Sequence, residues 1–272
     1  MDRYAVIGHP VEHSLSPRIH AAFADEVGAP MVYGRIDPGP DGFADAARAF
    51  FAEGGCGLNV TVPFKAEAHA LCTHVAAHAA RVGVVNTLYP DPAGSICGDN
   101  TDGVGLVRDL TANLGLDLAE RRILLLGAGG AARGVLGALL AARPAAVVIA
   151  NRTPARAVAV AAEFASDGPV HGCGFDLAGT GSGHDLVINA SAASLAGAVP
   201  PVDPAVLAPG ATVYDMMYGP AAAAFLTWGR EHGAARAVDG LGMLVEQAAE
   251  SFRIWRGVAP TTAPVLAQLR GA

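Results

Sequence analysis

The chain has 272 residues, a length suited to two domains of roughly 100–150 residues. Hydrophobic residues make up 52% and aromatics only 6%, and the longest apolar run, near 134–142, stops at Arg143-Pro144, short of the ~20 residues a membrane helix needs. A net charge of −7 with no Lys/Arg cluster excludes a nucleic-acid surface, and four scattered cysteines (Cys56, Cys72, Cys97, Cys173) with no C-x-x-C pair favour neither zinc nor a disulfide framework.

In chain order, Arg3–Ile7 reads as a buried strand, followed by a loop through His9-Pro10 to Ser14. Ser16-Pro17 marks a helix start, with Ser16 as N-cap and Pro17 at the first helical position. Met31–Ile36 reads as a second strand, broken by Asp37-Pro38-Gly39-Pro40, and a helix follows to Glu53. Gly57–Val60 is a short strand, and a helix runs from Lys65 to Ala80. Val84–Tyr89 and Ser95–Gly98 form a hairpin around Asp91-Pro92-Ala93-Gly94. A helix from Asp102 to Leu114 leads away. Arg122–Leu126, Val147–Ala150, Leu186–Asn189 and Thr212–Tyr214 are apolar strands with helices between them. This alternation predicts an α/β protein with parallel sheets and right-handed crossovers, divided near residue 102 and again near residue 238. The N-terminus lacks a hydrophobic signal region, so the expected compartment is the cytoplasm.

Gly127-Ala128-Gly129-Gly130-Ala131-Ala132 fits G-x-G-x-x-A. Glycine is common in this chain, so the context decides: the motif follows the strand Arg122–Leu126 and opens a helix. There the glycines allow a tight turn and a close approach to a pyrophosphate, which the helix N-terminus attracts. NAD-selective folds place Asp or Glu about 20 residues further on. Here the next strand ends in Asn151-Arg152-Thr153, with Arg156 behind, and no carboxylate stands there to repel a 2′-phosphate. Arg152 can bind that phosphate bidentately, which favours NADP, while Thr153-Pro154 also suits an ordinary helix start.

Hydride transfer to a carbonyl needs a proton donor as well. The histidines form no H-E-x-x-H or His-Cys grouping, so no metal is expected. Lys65 is the one lysine of the chain, at a strand-to-helix junction in Asn59-Val60-Thr61-Val62-Pro63-Phe64-Lys65. The residue four before it is Thr61, so the Tyr-x-x-x-Lys pair of short-chain dehydrogenases is absent. Gly98-Asp99-Asn100-Thr101-Asp102 places small polar groups at another helix start, suited to hydroxyls. Taken alone, Lys65 reads equally as a solvated helix start and Asp102 as an ordinary N-cap. His20, His69, His74 and His78 read as surface or capping residues, Trp228 and Trp255 as packing anchors, and Tyr4 as structural.

These stretches, with Tyr4–Gly8, His13-Ser14-Leu15-Ser16-Pro17, Val85-Asn86-Thr87-Leu88, Gly98–Gly105, Tyr214-Asp215-Met216-Met217-Tyr218 and Asp239–Leu244 with Gln247, occur in an order that resembles the bacterial shikimate dehydrogenase family over nearly the full length. The resemblance implies NADPH-dependent, reversible reduction of 3-dehydroshikimate to shikimate. It implies two α/β domains flanking a cleft: a substrate domain of residues 1–102 with 238–272, and a doubly wound Rossmann-type NADP domain of residues 103–237. Lys65 and Asp102 would be the acid–base pair, and Ser14 and Ser16, with Tyr218 nearby, would hold the substrate carboxylate. Asn59, Thr61, Asn86, Asp102 and Gln247 would face the ring hydroxyls. Gly127, Ala128, Gly129, Gly130 and Ala131 would hold the pyrophosphate, Asn151, Arg152, Thr153 and Arg156 the adenosine phosphate, and Met217 and Gly240 would lie along the nicotinamide. A homodimer stays open, and neither nucleic acid nor membrane is an expected partner.

The chain departs from the family pattern at His9 and Leu15, in Asn189-Ala190-Ser191-Ala192-Ala193-Ser194, which lacks the glycine often found after this strand, and at Gly219–Ala224, which lacks a usual Thr-Pro pair. Competing readings are a quinate/shikimate dehydrogenase of broader cofactor use, a non-catalytic NADPH-binding regulator, and a folate-linked dehydrogenase. The last is opposed by the missing Tyr, and the regulator by the presence of both Lys65 and Asp102.

Overall fold

The structure is a computed structural model that describes residues 1–179, 181 and 183–271. The chain begins with β1 (Asp2–Ile7), α1 (Ser16–Val27), β2 (Met31–Ile36), α2 (Phe43–Ala52), β3 (Gly55–Val60) and α3 (Lys65–Leu71). It continues through β4 (His74–Val75), α4 (Ala77–Val82), β5 (Thr87–Pro90), β6 (Ile96–Asp99) and α5 (Asp102–Arg108), whose end widens into a π-turn at Asp109–Asn113. Next come β7 (Arg122–Leu126), α6 (Gly130–Ala141), β8 (Ala146–Ala150), α7 (Pro154–Phe164), β9 (Val170–Cys173) and β10 (His184–Asn189). Last are β11 (Leu207–Asp215), α8 (Ala223–Glu231), β12 (Arg236–Asp239), α9 (Leu241–Arg256) and α10 (Ala263–Arg270). Two compact units result, one formed by Met1–Gly105 with the segment from Val245 onward, the other by Leu106–Leu244. The seam falls past 102 and 238 because β12 pairs with β11 in the second sheet. Among the described residues no helix is long and apolar enough to cross a membrane.

The first unit is built on a sheet ordered β2-β1-β3-β5-β6-β4. β1 runs parallel to β2 and β3, whereas β5 is antiparallel to both β3 and β6. The first sheet is therefore mixed: the expected hairpin is present as β5 and β6, and it adds antiparallel pairs to the parallel ones. The cause is local: Asp91 Oδ1 accepts from the N–H groups of Ala93 and Ser95 at 2.8 Å each, and this turn folds β6 back on β5. Ile7, Phe43, Leu58, Phe64, Val85 and Leu88 are fully buried in its core. Burying each such side chain stabilises by about 1.5–3 kcal/mol. α9 approaches α5 closely at Gly105, where a Cβ would come within 2.7 Å of the Gln247 backbone nitrogen.

The second unit has the order β12-β11-β10-β7-β8-β9, all parallel, which is the doubly wound 3-2-1-4-5-6 arrangement read from its own first strand, β7. Ile123, Leu124, Leu125 and Leu126 are all fully buried, as the central strand of a sheet covered on both faces requires. Strand order reverses between β7 and β10, so the crevice beyond their carboxyl ends is the natural ligand position.

Four local expectations change. The helix expected over 65–80 is interrupted: Cys72 is extended (φ −74°, ψ 139°), and β4 leaves to pair with β6. Ser16 is the first helical residue rather than the N-cap; Ser14 Oγ instead accepts from the Ser16 N–H at 3.3 Å. Asp102 likewise begins its helix, and Asn100 Oδ1 accepts its N–H at 3.0 Å. His20, expected at the surface, is fully buried.

Candidate active site

β1 lies between β2 and β3, so the loops leaving the carboxyl ends of β1 and β3 part to opposite sides and leave a crevice. The loop after β1 carries Ser14 and leads into Ser16; the one after β3 carries Thr61 and leads into Lys65. Backbone bonds lace them together: Thr61 N–H donates to Ile7 O at 3.0 Å, and His9 N–H to Val62 O at 3.1 Å.

The Lys65 Nζ donates to Asp102 Oδ2 at 2.5 Å. The Asp102 side chain is 6% exposed and that of Lys65 23%, so the pair is sheltered, with the lysine the more accessible partner. Asn100 satisfies the helix start, and both Asp102 oxygens are left for side chains: Oδ1 accepts from Asn86 Nδ2 at 2.9 Å. Asn86 is a hub. Its Nδ2 also reaches Thr101 Oγ1 at 3.0 Å and Gln247 Oε1 at 3.3 Å, and its Oδ1 accepts from Thr101 N–H and Thr87 Oγ1, both at 2.9 Å.

The network continues through Ser251, whose hydroxyl lies 2.8 Å from Thr87 Oγ1 and accepts from Asn59 Nδ2 at 2.9 Å. Asn59 Oδ1 takes the Tyr33 hydroxyl at 2.7 Å and the His20 Nε2 at 3.1 Å. Ser14 Oγ donates to Ser16 Oγ at 3.1 Å, and the Ser16 side chain lies close enough to the Tyr33 phenol to lower its pKa. Burial pushes the Tyr33 phenol well above its usual pKa, so it is a neutral donor. A hydrogen-bonded chain thus runs from Tyr33 to Lys65, with the Ser14–Ser16 pair beside Tyr33. Buried networks of this kind are stiff when every member is satisfied.

The first unit brings together Ser14, Ser16, Asn59, Lys65, Asn86, Asp102 and Gln247 in this network, with Thr61 at the mouth of the same loop. Tyr33, Thr87, Thr101 and Ser251 complete it and had been given no role from sequence. Ser251 could have been found one helical turn beyond Gln247, its hydroxyl donating to the Gln247 carbonyl at 3.1 Å.

The second unit carries the glycine-rich turn. Gly127 has φ +113°, and a Cβ there would meet Ala190 O at 3.0 Å, directly across the β7–β10 reversal. Gly129 is the N-cap of α6, and a Cβ on it would meet nothing within 4 Å, so the helix N-terminus is open to an anion. Ala128 and Ala131 flank it, half-buried, and Gly130 is exposed. Asn151 Nδ2 donates to Thr153 O at 3.0 Å and shapes the turn after β8, where Arg152 and Arg156 are exposed. Thr153 makes no side-chain cap bond. Met217 and Tyr218 follow β11, and Gly240 packs under that turn, where a Cβ would lie 2.4 Å from Met216 O.

A buried carboxylate joins the two strand ends. Asp215 accepts from Ser194 Oγ at 2.6 Å, Asn189 Nδ2 at 3.0 Å and Met217 N–H at 2.8 Å. Desolvation raises its pKa. Ser194 thereby ties down the loop that lacks the family's glycine.

Residues 6–88 match the family described as the shikimate dehydrogenase substrate binding domain, residues 109–195 that of shikimate / quinate 5-dehydrogenase, and residues 240–270 the shikimate 5'-dehydrogenase C-terminal domain. The shikimate dehydrogenase (NADP(+)) of Alkalilimnicola ehrlichii is 58% identical over 270 residues, covering 99% of this chain and 98% of its own. The chain belongs to the shikimate dehydrogenase family. Solved structures agree. An Ael1 enzyme from Pseudomonas putida is 44% identical with a TM-score of 0.91, covering 99% of this chain and 98% of its own. The shikimate 5-dehydrogenase of Thermus thermophilus in complex with NADP(H) and shikimate is 31% identical with a TM-score of 0.84, covering 100% of this chain and 99% of its own. Relative to other shikimate dehydrogenases the match spans both units, so neither is an addition of this chain.

Proposed function

We propose that the protein is an NADP-dependent shikimate dehydrogenase, reducing 3-dehydroshikimate reversibly to shikimate. The observation that carries this reading is the 2.5 Å Lys65–Asp102 pair, at the end of a hydrogen-bonded network that starts at Tyr33 beside Ser16, in a chain of this family.

Substrate binding belongs to the first unit and cofactor binding to the second. Ser14 and Ser16 take the substrate carboxylate; hydroxyl donors hold a monoanion without a buried charge pair. Asn59, Thr61, Asn86, Asp102 and Gln247 serve the ring hydroxyls. The residues of the second unit fit a 2′-phosphorylated dinucleotide: an open helix N-terminus at Gly127–Ala131 for the pyrophosphate, and Asn151, Arg152, Thr153 and Arg156, with no carboxylate among them, for the phosphate on the ribose. Met217 and Gly240 border the nicotinamide. When bound, NADPH supplies the hydride to the C3 carbonyl carbon.

Lys65 delivers the proton to the C3 oxygen as charge builds there. Asp102 holds the ammonium in place through Oδ2 while Asn86 fixes the carboxylate through Oδ1. In the reverse direction Lys65 accepts the hydroxyl proton. We place the enzyme in the cytoplasm, as a monomer or homodimer, which sedimentation of the purified chain distinguishes.

The test is absorbance at the reduced-nicotinamide band with shikimate or quinate crossed against NADP or NAD. A rate confined to shikimate with NADP supports the reading. Equal rates with quinate and NAD move the protein to the broader-specificity branch, and no rate with NADPH still binding makes it a nucleotide-binding regulator.

A further inference from the structure

β2 presents alternate residues to one face, and three consecutive alternate positions grip the loop that carries the two serines. Tyr33 lies beside the Ser16 side chain and donates to Asn59 Oδ1 at 2.7 Å. Arg35 Nη2 donates to Ser14 O at 2.7 Å. Asp37, just past the strand end, meets His9 Nδ1 at 2.7 Å. The Ile36 carbonyl accepts from Gly8 N–H at 3.2 Å between them. The β1–α1 loop is therefore hung on β2 along its length.

We infer that Tyr33 and Arg35 are positioning residues that set the selectivity of this site for a carboxylate anion over a neutral acyl group. The inference rests on the proposed substrate site at Ser14 and Ser16. A serine hydroxyl alone discriminates weakly, because its proton rotates freely toward any acceptor. Here the rotation is directed. The Tyr33 proton is committed to Asn59, so Tyr33 offers Ser16 a lone pair, and Ser16 offers one to Ser14. The order Ser14 to Ser16 to Tyr33 to Asn59 keeps both serine oxygens in register, with protons free to swing together onto an incoming anion. Arg35 fixes the Ser14 backbone and supplies the cation of this face; Coulombic attraction from its guanidinium already favours the ionised form of Tyr33. A carboxylate gains from that charge, whereas an ester or amide of the same shape gains little.

The experiment is steady-state oxidation with NADP of shikimate and of its methyl ester, by the wild type, Tyr33→Phe, Arg35→Gln and Arg35→Lys. Glutamine keeps an N–H for the Ser14 carbonyl and removes the charge; lysine keeps the charge and loses the planar fork. In Tyr33→Phe and Arg35→Gln the KM for shikimate should rise about three- to tenfold, the scale of one hydrogen bond. kcat should change far less, the KM for NADP should hold, and the preference for acid over ester should narrow. Arg35→Gln should also flatten the ionic-strength dependence of kcat/KM, and Arg35→Lys should restore it. An unchanged acid-to-ester ratio in both Tyr33→Phe and Arg35→Gln overturns the inference. So does a parallel fall of kcat and NADP affinity, which marks general damage. A wild type that neither binds nor oxidises shikimate overturns the function itself, and that outcome is read before any variant is compared.

Discussion

The imidazole of His20 lies flat on the ring of Tyr33, with centroids 4.3 Å apart and planes 8° from parallel. Its Nε2 meets Asn59 Oδ1, and its Nδ1 has no partner among the described residues. Burial lowers the imidazole pKa from 6.5 to about 3, so it stays neutral in the folded protein. The unfolded chain takes up a proton below about pH 6.5 and the folded one does not until far lower, so stability is full above that pH and is lost as pH falls toward 3, by up to about 1.4 kcal/mol per unit. His20→Gln keeps a donor for Asn59 and removes this dependence. Urea midpoints at about pH 7 and about pH 5 should show a smaller acid loss in the variant than in the wild type. Equal losses would assign the acid sensitivity elsewhere.

Removing the ammonium at position 65 should separate chemistry from cofactor binding. In Lys65→Ala, kcat should fall by about 10²–10⁴-fold, the usual contribution of a positioned acid, while NADPH fluorescence titration gives the wild-type Kd. Turnover near the wild-type level would sink the role given to Lys65.

The three donors on Asp215 make it intolerant of an amide. In Asp215→Asn, the new NH₂ faces either the Met217 N–H or the Ser194 and Asn189 donors, and a cost of about 1–3 kcal/mol in urea unfolding is expected. Because Met217 N–H also bonds this side chain, NADPH affinity should weaken with it. Ser194→Ala loses one of the three bonds and should cost less on both measures. A variant Asp215→Asn with wild-type stability and NADPH affinity would remove the carboxylate from this role.

Gly127→Ala tests the turn after β7. With φ at +113° and Ala190 O 3.0 Å from the new Cβ, strain of about 1–3 kcal/mol is expected. Calorimetry should show a lower Tm, and NADPH titration a weaker Kd. A Tm equal to the wild type would mean that the turn relaxes without loss.

The parts legible in the sequence were those whose cause is local. β7 is a run of apolar residues ending in glycine, and both the strand and the turn follow from their own chemistry. The Lys65–Asp102 pair is different. The partners are 37 positions apart, and nothing at either position announces the other; only the resemblance joined them. His20 was misplaced although its signal was present: Ser16, Ile19, His20, Phe23 and Ala24 form the buried stripe of α1, and a histidine on such a stripe belongs inside. β4, β9 and β12 were missed because each has at most four residues at or near a sheet edge, where pairing with a neighbour decides the conformation. The hairpin of β5 and β6 was legible from its turn residues, whereas the antiparallel pairing of β5 with β3 was not, since that depends on which neighbour the hairpin finds.

Gln247 and Ser251 close the hydrogen-bonded chain around Asn86, yet they lie on α9, after the whole second unit has been made. During synthesis the nucleotide fold is complete while the substrate pocket still lacks its last wall. A nascent chain paused at β12 holds Lys65 and Asp102 but leaves Asn59 and Asn86 without their final partners. Competence for catalysis is then gained in one step, once α9 has followed the second sheet, rather than unit by unit.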